Sequence, residues 1–162
     1  MKENNWLNQY QRNITSQHGE DGIIEKILEL IPEKDNWCVE FGAWDGKMDS
    51  NTYNLINSKS YSAVLIEGDR ERFGDLETNY ESNGNVIAIN TFVGFSNTNN
   101  LDTILKSTQI PKNFDLLSID VDGNDYHIWN ALKNYRPKVV VVEFNPTIPN
   151  EVDVGIPNNV RR

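Results

Sequence analysis

Five short apolar runs in this sequence each carry or lead into an acid or an amide. Trp37-Cys-Val-Glu-Phe41 contains Glu40 and leads into Gly42, Asp45 and Gly46. Tyr61–Ile66 leads into Glu67 and Gly68, and Asn85–Ile89 leads into Asn90. Phe114–Ile119 leads into Asp120, Asp122 and Gly123, and Lys138–Glu143 into Asn145. A single carboxylate after a strand is ordinary, because loops are polar and Asp favours turns. Five run ends behaving alike point to a shared task. The turn Glu40-Phe-Gly-Ala-Trp-Asp-Gly46 is the most informative. Gly42 lacks a Cβ and lets the backbone approach a ligand. The spacing departs from GxGxxG, so it offers no pyrophosphate cradle. A carboxylate at Glu40 would repel phosphate and attract a cationic group such as an ammonium. Glu67 can accept both hydroxyls of a ribose, through charge-assisted bonds of about 1.5–3 kcal/mol each.

These residues need elements to hold them. Short apolar runs separated by helical patterns predict parallel strands covered on both faces. Helices are expected over 23–31, closed by Pro32, and then over 50–58, 69–82, 101–107 and 124–134. Ser16 or Asp21 is a candidate cap for the first of them. The fold class is therefore α/β, a Rossmann-like, doubly wound, mostly parallel sheet in three layers. In such sheets ligands bind beyond the carboxyl ends of the strands, where strand order reverses. Residues 1–17 read as a polar arm with Trp6 and Tyr10 as anchors, 18–146 as the domain, and 147–162, with its prolines, as an extended tail. Glu67 alone suits a nicotinamide or an adenosyl cofactor. With Glu40, and without GxGxxG, the set favours S-adenosylmethionine (SAM).

Composition sets the outer bounds. The 162 residues suit one domain with a real core. A formal net charge of −9 weighs against nonspecific nucleic-acid or anionic-membrane partners, which need a basic surface. A single cysteine, Cys38, excludes an intramolecular disulfide and any CxxC zinc site. No apolar run approaches the ~20 residues of a membrane span, and the N-terminus lacks the apolar stretch of a signal peptide. The expected setting is cytoplasmic, and the oligomeric state is left open.

Val39-Glu-Phe-Gly-Ala-Trp-Asp-Gly46, Leu65-Ile-Glu-Gly-Asp69 and Ile119-Asp-Val-Asp-Gly-Asn-Asp125 together resemble a class I SAM-dependent methyltransferase of the FkbM-type group. Ser16-Gln-His-Gly-Glu-Asp-Gly22 and Val142-Glu-Phe-Asn-Pro146 extend the likeness from Ser16 to Pro149. The resemblance implies that Glu40 and Gly42 contact the methionine part of SAM, with Asp45 and Gly46 shaping the adjoining loop. It implies Glu67 on the ribose, Asn90 and Phe92 at the adenine, and Asp120 facing the reacting methyl. It also implies transfer to oxygen on a small molecule or sugar. Such folds usually add two further strands after the fifth, and this chain ends before any such segment. A SAM-binding module without turnover is therefore the alternative, with a nicotinamide-dependent dehydrogenase behind it.

For a hydroxyl acceptor a base helps. Asp122 is the first candidate, ahead of Asp120, His127 and Glu143; a helical histidine is more commonly packed or solvated. Asp120, Glu143 and Asn145 offer oxygen ligands suited to Mg²⁺, although carboxylates beside a cationic cofactor need no metal to explain them. Trp44 either packs on the ligand or closes its loop. Asp69-Arg-Glu-Arg72 reads as a solvated helix face with intrahelical pairs, Tyr126 and Trp129 as packing, and Cys38 as a small buried apolar residue.

Overall fold

The computed structural model describes residues 5–121 and 123–143. Asp122, Asn145 and the expected tail lie outside the described residues. The apolar runs form β1 (Trp37–Phe41), β2 (Ser62–Glu67), β3 (Val86–Asn90), β4 (Leu116–Ile119) and β5 (Val139–Val142). Every pairing is parallel, and the order is β3-β2-β1-β4-β5. The chain builds outward from β1 through β2 to β3. It then returns to the other side of β1 for β4 and β5. Strand order reverses between β1 and β4, so Gly42 and Asp120 stand at the switch point.

Helices α1 (Glu20–Leu30), α2 (Tyr53–Lys59) and α3 (Arg70–Tyr80) lie on one face, and α4 (Leu101–Leu105) and α5 (Asp125–Ala131) on the other. The strand pleat divides the core accordingly. Cys38, Ala63, Leu65 and Leu116 meet Ile24, Leu28, Leu55 and Leu76 on the first face. Val39, Phe41, Ile66 and Ile119 meet Leu101, Leu105 and Ile128 on the second. A fully buried aliphatic or aromatic side chain of this kind contributes about 1.5–3 kcal/mol. Two filled faces therefore make the sheet a stiff platform for the loops at its carboxyl end.

The opposite end is held by charge. Asp115 is fully buried and accepts the backbone N–H groups of Asp35 (3.0 Å) and Asn36 (2.9 Å) and the Lys138 ammonium (2.7 Å). Burial works against the Lys138 charge, but Asp115 and Asp35 outweigh it and raise its pKa. This network joins the approaches to β1, β4 and β5 far from the switch point.

The expected helix starts and ends differ from the observed ones by a few residues, as end fraying permits. The described part of the polar arm is fastened to α1. The Gly22 N–H donates to the Arg12 carbonyl (3.0 Å), the Arg12 N–H to the Gly19 carbonyl (3.2 Å), and Arg12 pairs with Glu25. Gly19 stands at the N-cap of α1, and the carboxylate of Asp21 reaches back to the loop before it. No helix among the described residues is long and apolar enough to cross a membrane.

Candidate active site

A cavity of about 530 Å³ opens over the carboxyl ends of the strands. That volume suits a nucleoside-sized ligand. All five strand ends reach it: Gly42 from β1, Glu67 and Gly68 from β2, Thr91 and Phe92 after β3, Asp120 after β4 and Glu143 after β5. Of the residues that the strand-end pattern singled out, the structure thus brings Glu40, Gly42, Glu67, Gly68, Asp120 and Glu143 to one cavity. Asp45, Gly46, Asn90 and His127 do not line it.

Glu67 ends β2 and is buried at 6% exposure, with one face on the cavity. One carboxylate oxygen accepts the Trp44 N–H (2.8 Å) and the other the Asp69 N–H (2.7 Å). Each oxygen keeps acceptor capacity beyond that single bond. The carboxylate is thereby held in one orientation with room for two donors, as vicinal hydroxyls require.

Glu40 also lines the cavity, and it has a structural task besides. Its side chain is buried, and its carboxylate accepts from Ser50 Oγ (2.6 Å), Thr52 Oγ1 (2.7 Å) and the Asn51 N–H (2.9 Å). Ser118, its register partner on β4, accepts the Asn51 side-chain amide beside it (3.1 Å). The three bonds to Glu40 use most of the lone-pair sites of a carboxylate. Glu40 therefore holds the loop from Ala43 to Thr52 against β1 at the wall of the cavity. Burial raises its pKa, and these hydrogen bonds pull the other way without cancelling it. The signal was in the sequence: Ser50-Asn-Thr52 supplies short hydroxyl donors one turn before α2.

Gly42 is likewise constrained by the protein. It sits at φ 72°, and a Cβ there would lie 2.0 Å from the Asp120 carbonyl oxygen. The glycine lets the ends of β1 and β4 approach each other. Asp45 accepts the Lys47 (2.9 Å) and Met48 (2.7 Å) N–H groups and so closes the turn. Gly46 fits beneath Tyr80, whose hydroxyl donates to the Gly46 carbonyl (2.8 Å).

Asn90 donates its amide to the Glu67 (2.9 Å) and Gly68 (3.3 Å) carbonyls, tying β3 to β2 beside the cavity. Phe92 is 67% exposed, and its ring lies against Gly68, where a Cβ would come within 2.3 Å of it. A flat apolar surface is thereby offered to a flat ligand. Asp69 caps α3 by accepting from the Glu71 and Arg72 N–H groups. Arg72 is more than a solvated helix residue: its guanidinium stacks on the Trp44 ring, 4.5 Å from the centroid. Both line the cavity, and Arg72 is its sole cation among the described residues. Trp44, at φ 49°, closes the loop and walls the cavity together.

Asp120 and Glu143 are exposed carboxylates on the cavity wall, and Asn124 is a buried amide there. Asp125 accepts the Val121 (3.0 Å) and Gly123 (2.9 Å) N–H groups and shapes the loop that carries them. His127 packs its ring near Phe95 and Tyr126, away from the cavity lining, and Tyr126 and Trp129 stand exposed on α5. Among the described residues no group of three or more His, Cys, Asp and Glu could hold a metal ion. Sequence reasoning gives no site role to Gln17, Asp49, Asn51 and Arg72, all of which line the cavity. Gln17 lies in the Ser16–Gly22 motif, Asp49 and Asn51 come from a loop with no periodicity, and Arg72 looks like any helix-surface charge.

Comparison with known proteins follows the same lines. The methyltransferase FkbM domain matches residues 95–158. The fold matches the solved structure of a "putative O-methyltransferase" from Klebsiella pneumoniae at a TM-score of 0.53 and 16% identity, covering 84% of this chain and 60% of that one. A fibrillarin/Nop5p complex also matches, at a TM-score of 0.48 and 20% identity, over 72% of this chain and 55% of that one. The chain thus spans less than two thirds of the length of either structure. No curated protein matches it. The Rossmann-like parallel sheet and the FkbM resemblance read from the motifs are both borne out.

Proposed function

We propose that the cavity binds SAM and that the chain is a methyltransferase acting on an oxygen of a small molecule or sugar. The observation that carries the cofactor assignment is Glu67, anchored through both oxygens at the end of β2 and facing the cavity. The residues fit the group. Glu67 suits the ribose hydroxyls, Phe92 over Gly68 suits the adenine, and Asp120 with Asp49 suits an ammonium. Asn51 Oδ1 is a buried acceptor without a hydrogen-bond partner among the described residues, in a side chain that lines the cavity.

When bound, SAM supplies a methyl group on a cationic sulfur. The protein's share is alignment and proton removal. Asp120 and Glu143 present carboxylates to the cavity that can accept the acceptor's hydroxyl proton. Asp122, two residues past Asp120, keeps its role as the first candidate base. Asp122→Asn is expected to slow transfer about 10²-fold while leaving SAM affinity unchanged. A variant that transfers at the wild-type rate removes Asp122 from the mechanism.

Calorimetric titration with SAM, S-adenosylhomocysteine and NAD tests the cofactor directly. Micromolar binding of the two adenosyl ligands, and none of NAD, is the expected result. Binding of NAD alone overturns the reading in favour of a dehydrogenase. Glu67→Ala should weaken S-adenosylhomocysteine by about 10–100-fold, the value of one or two charge-assisted bonds. Unchanged affinity would remove the ribose from Glu67.

A further inference from the structure

The motif Ser16-Gln-His-Gly-Glu-Asp-Gly22 has no task in the reading above. Its residues are engaged with one another and with the arm. Asp21 Oδ2 accepts the N–H groups of Ile14 (2.7 Å), Thr15 (2.8 Å) and Ser16 (2.9 Å), and Ser16 Oγ accepts the N–H of Asp21 (3.0 Å). Glu20 accepts the His18 N–H (2.7 Å) and pairs with the outward-facing His18 ring. A Cβ on Gly22 would lie 2.0 Å from the Tyr10 carbonyl oxygen, and one on Gly19 2.8 Å from Gln11 Cβ. Thr15 Oγ1 donates to the Ser50 carbonyl (3.0 Å), which fixes the segment to the loop after β1.

Gln17 is the exception. Its backbone carbonyl accepts from Asn13 (2.9 Å), but its side-chain amide makes no hydrogen bond among the described residues. It is exposed, and it is the one residue of the motif that lines the cavity. A loop this firmly tied, with one free amide at the cavity, is a mount for that amide.

The sheet order says what Gln17 faces. With a ribose on Glu67, the ligand extends one way to Phe92 beyond β3 and the other way to Gly42 and Asp120 at the switch point. The exposed Phe92 ring suits the purine. The acids Asp49, Asp120 and Glu143 suit the cationic amino-acid end. Gln17 is bound through Thr15 to Ser50 in the loop after β1, and so stands at that second end. An amino acid also carries an α-carboxylate, which those acids repel. Arg72, the sole cation among the described lining residues, is stacked on Trp44, whose N–H is on Glu67. The carboxylate needs a neutral donor, and Gln17 supplies one.

We infer that Gln17 is a binding residue whose side-chain N–H groups receive the α-carboxylate of the cofactor's amino-acid end. The inference rests on the adenosyl reading of the cavity. The test compares S-adenosylhomocysteine with its decarboxylated analogue, which differs only by that carboxylate. Both are titrated into the full chain and into Gln17→Ala and Gln17→Glu. Gln17 is exposed, so both variants should melt with the wild type. Gln17→Ala should weaken S-adenosylhomocysteine about 10-fold and the analogue by less than about 2-fold. Gln17→Glu should weaken S-adenosylhomocysteine further than Gln17→Ala, through repulsion of two carboxylates. Equal losses for both ligands, no loss at all, or a Gln17→Glu variant that binds as well as Gln17→Ala overturns the assignment while the adenosyl reading stands. A wild-type chain that binds neither ligand overturns both together.

Discussion

Gly42→Ala is expected to cost about 3–4 kcal/mol of stability and to abolish detectable S-adenosylhomocysteine binding. Two costs combine. Gly42 sits at φ 72°, a conformation that costs a residue with a Cβ about 1 kcal/mol or more. The larger cost is steric, since the new carbon would stand 2.0 Å from the Asp120 carbonyl oxygen. Backbone cannot swing aside as a side-chain tip can. The ends of β1 and β4 must part at the Phe41–Ile119 register pair. Parting them moves Asp120 and opens the switch point around which the cavity is built. Thermal or urea unfolding reads the first effect, and calorimetry the second. A sequence reading makes Gly42 a ligand-approach glycine, and predicts lost binding in a domain of unchanged stability. That pattern, if measured, would show that the ligand and not Asp120 demands the glycine.

The same glycine shows what is legible in a sequence and what is not. Its need for φ freedom is visible from its place after a strand. The atom that approaches it comes from β4, which is more than seventy residues away in the chain, and only the sheet order β3-β2-β1-β4-β5 brings it there. The strand runs themselves were plain, because parallel strands buried on both faces carry nearly unbroken apolar residues. The place of Glu67 on the cavity was legible for a related reason: it ends β2, and the cavity opens over the strand ends. The hydrogen-bonding task of Glu40 was not legible from its charge. Its hydroxyl and amide partners at Ser50, Asn51 and Thr52 lie in a loop with no periodicity to mark them. Arg72 was hidden differently, since a helix-surface arginine is indistinguishable from a solvated one until Trp44 is placed beside it. Gln17 needed the described part of the arm to fold back onto α1.

Glu40→Ala should be as damaging as the glycine change, at about 3–5 kcal/mol, with the same loss of binding. Truncation leaves two hydroxyls and the Asn51 N–H facing a void where a carboxylate stood. Glu40→Gln is the sharper comparison. Ser50 Oγ already accepts the Thr52 (3.1 Å) and Tyr53 (3.0 Å) N–H groups, so its own hydrogen must point to position 40. A glutamine amide nitrogen placed there meets a donor, whereas either carboxylate oxygen accepts. Gln is therefore expected to restore only part of the lost stability, despite matching Glu in shape. The pH dependence gives a second readout. Burial raises the Glu40 pKa above the ordinary glutamate value of 4.5. A carboxyl with a raised folded-state pKa adds stability that is fully present below the unfolded value and is lost as pH rises through the folded one. The stability gap between wild type and Glu40→Ala should then widen as pH falls from neutral towards 4.5. A glutamine variant as stable as the wild type would show that Glu40 does not hold the loop through an acceptor-only carboxylate, and a gap that is constant with pH would show that burial does not raise its pKa.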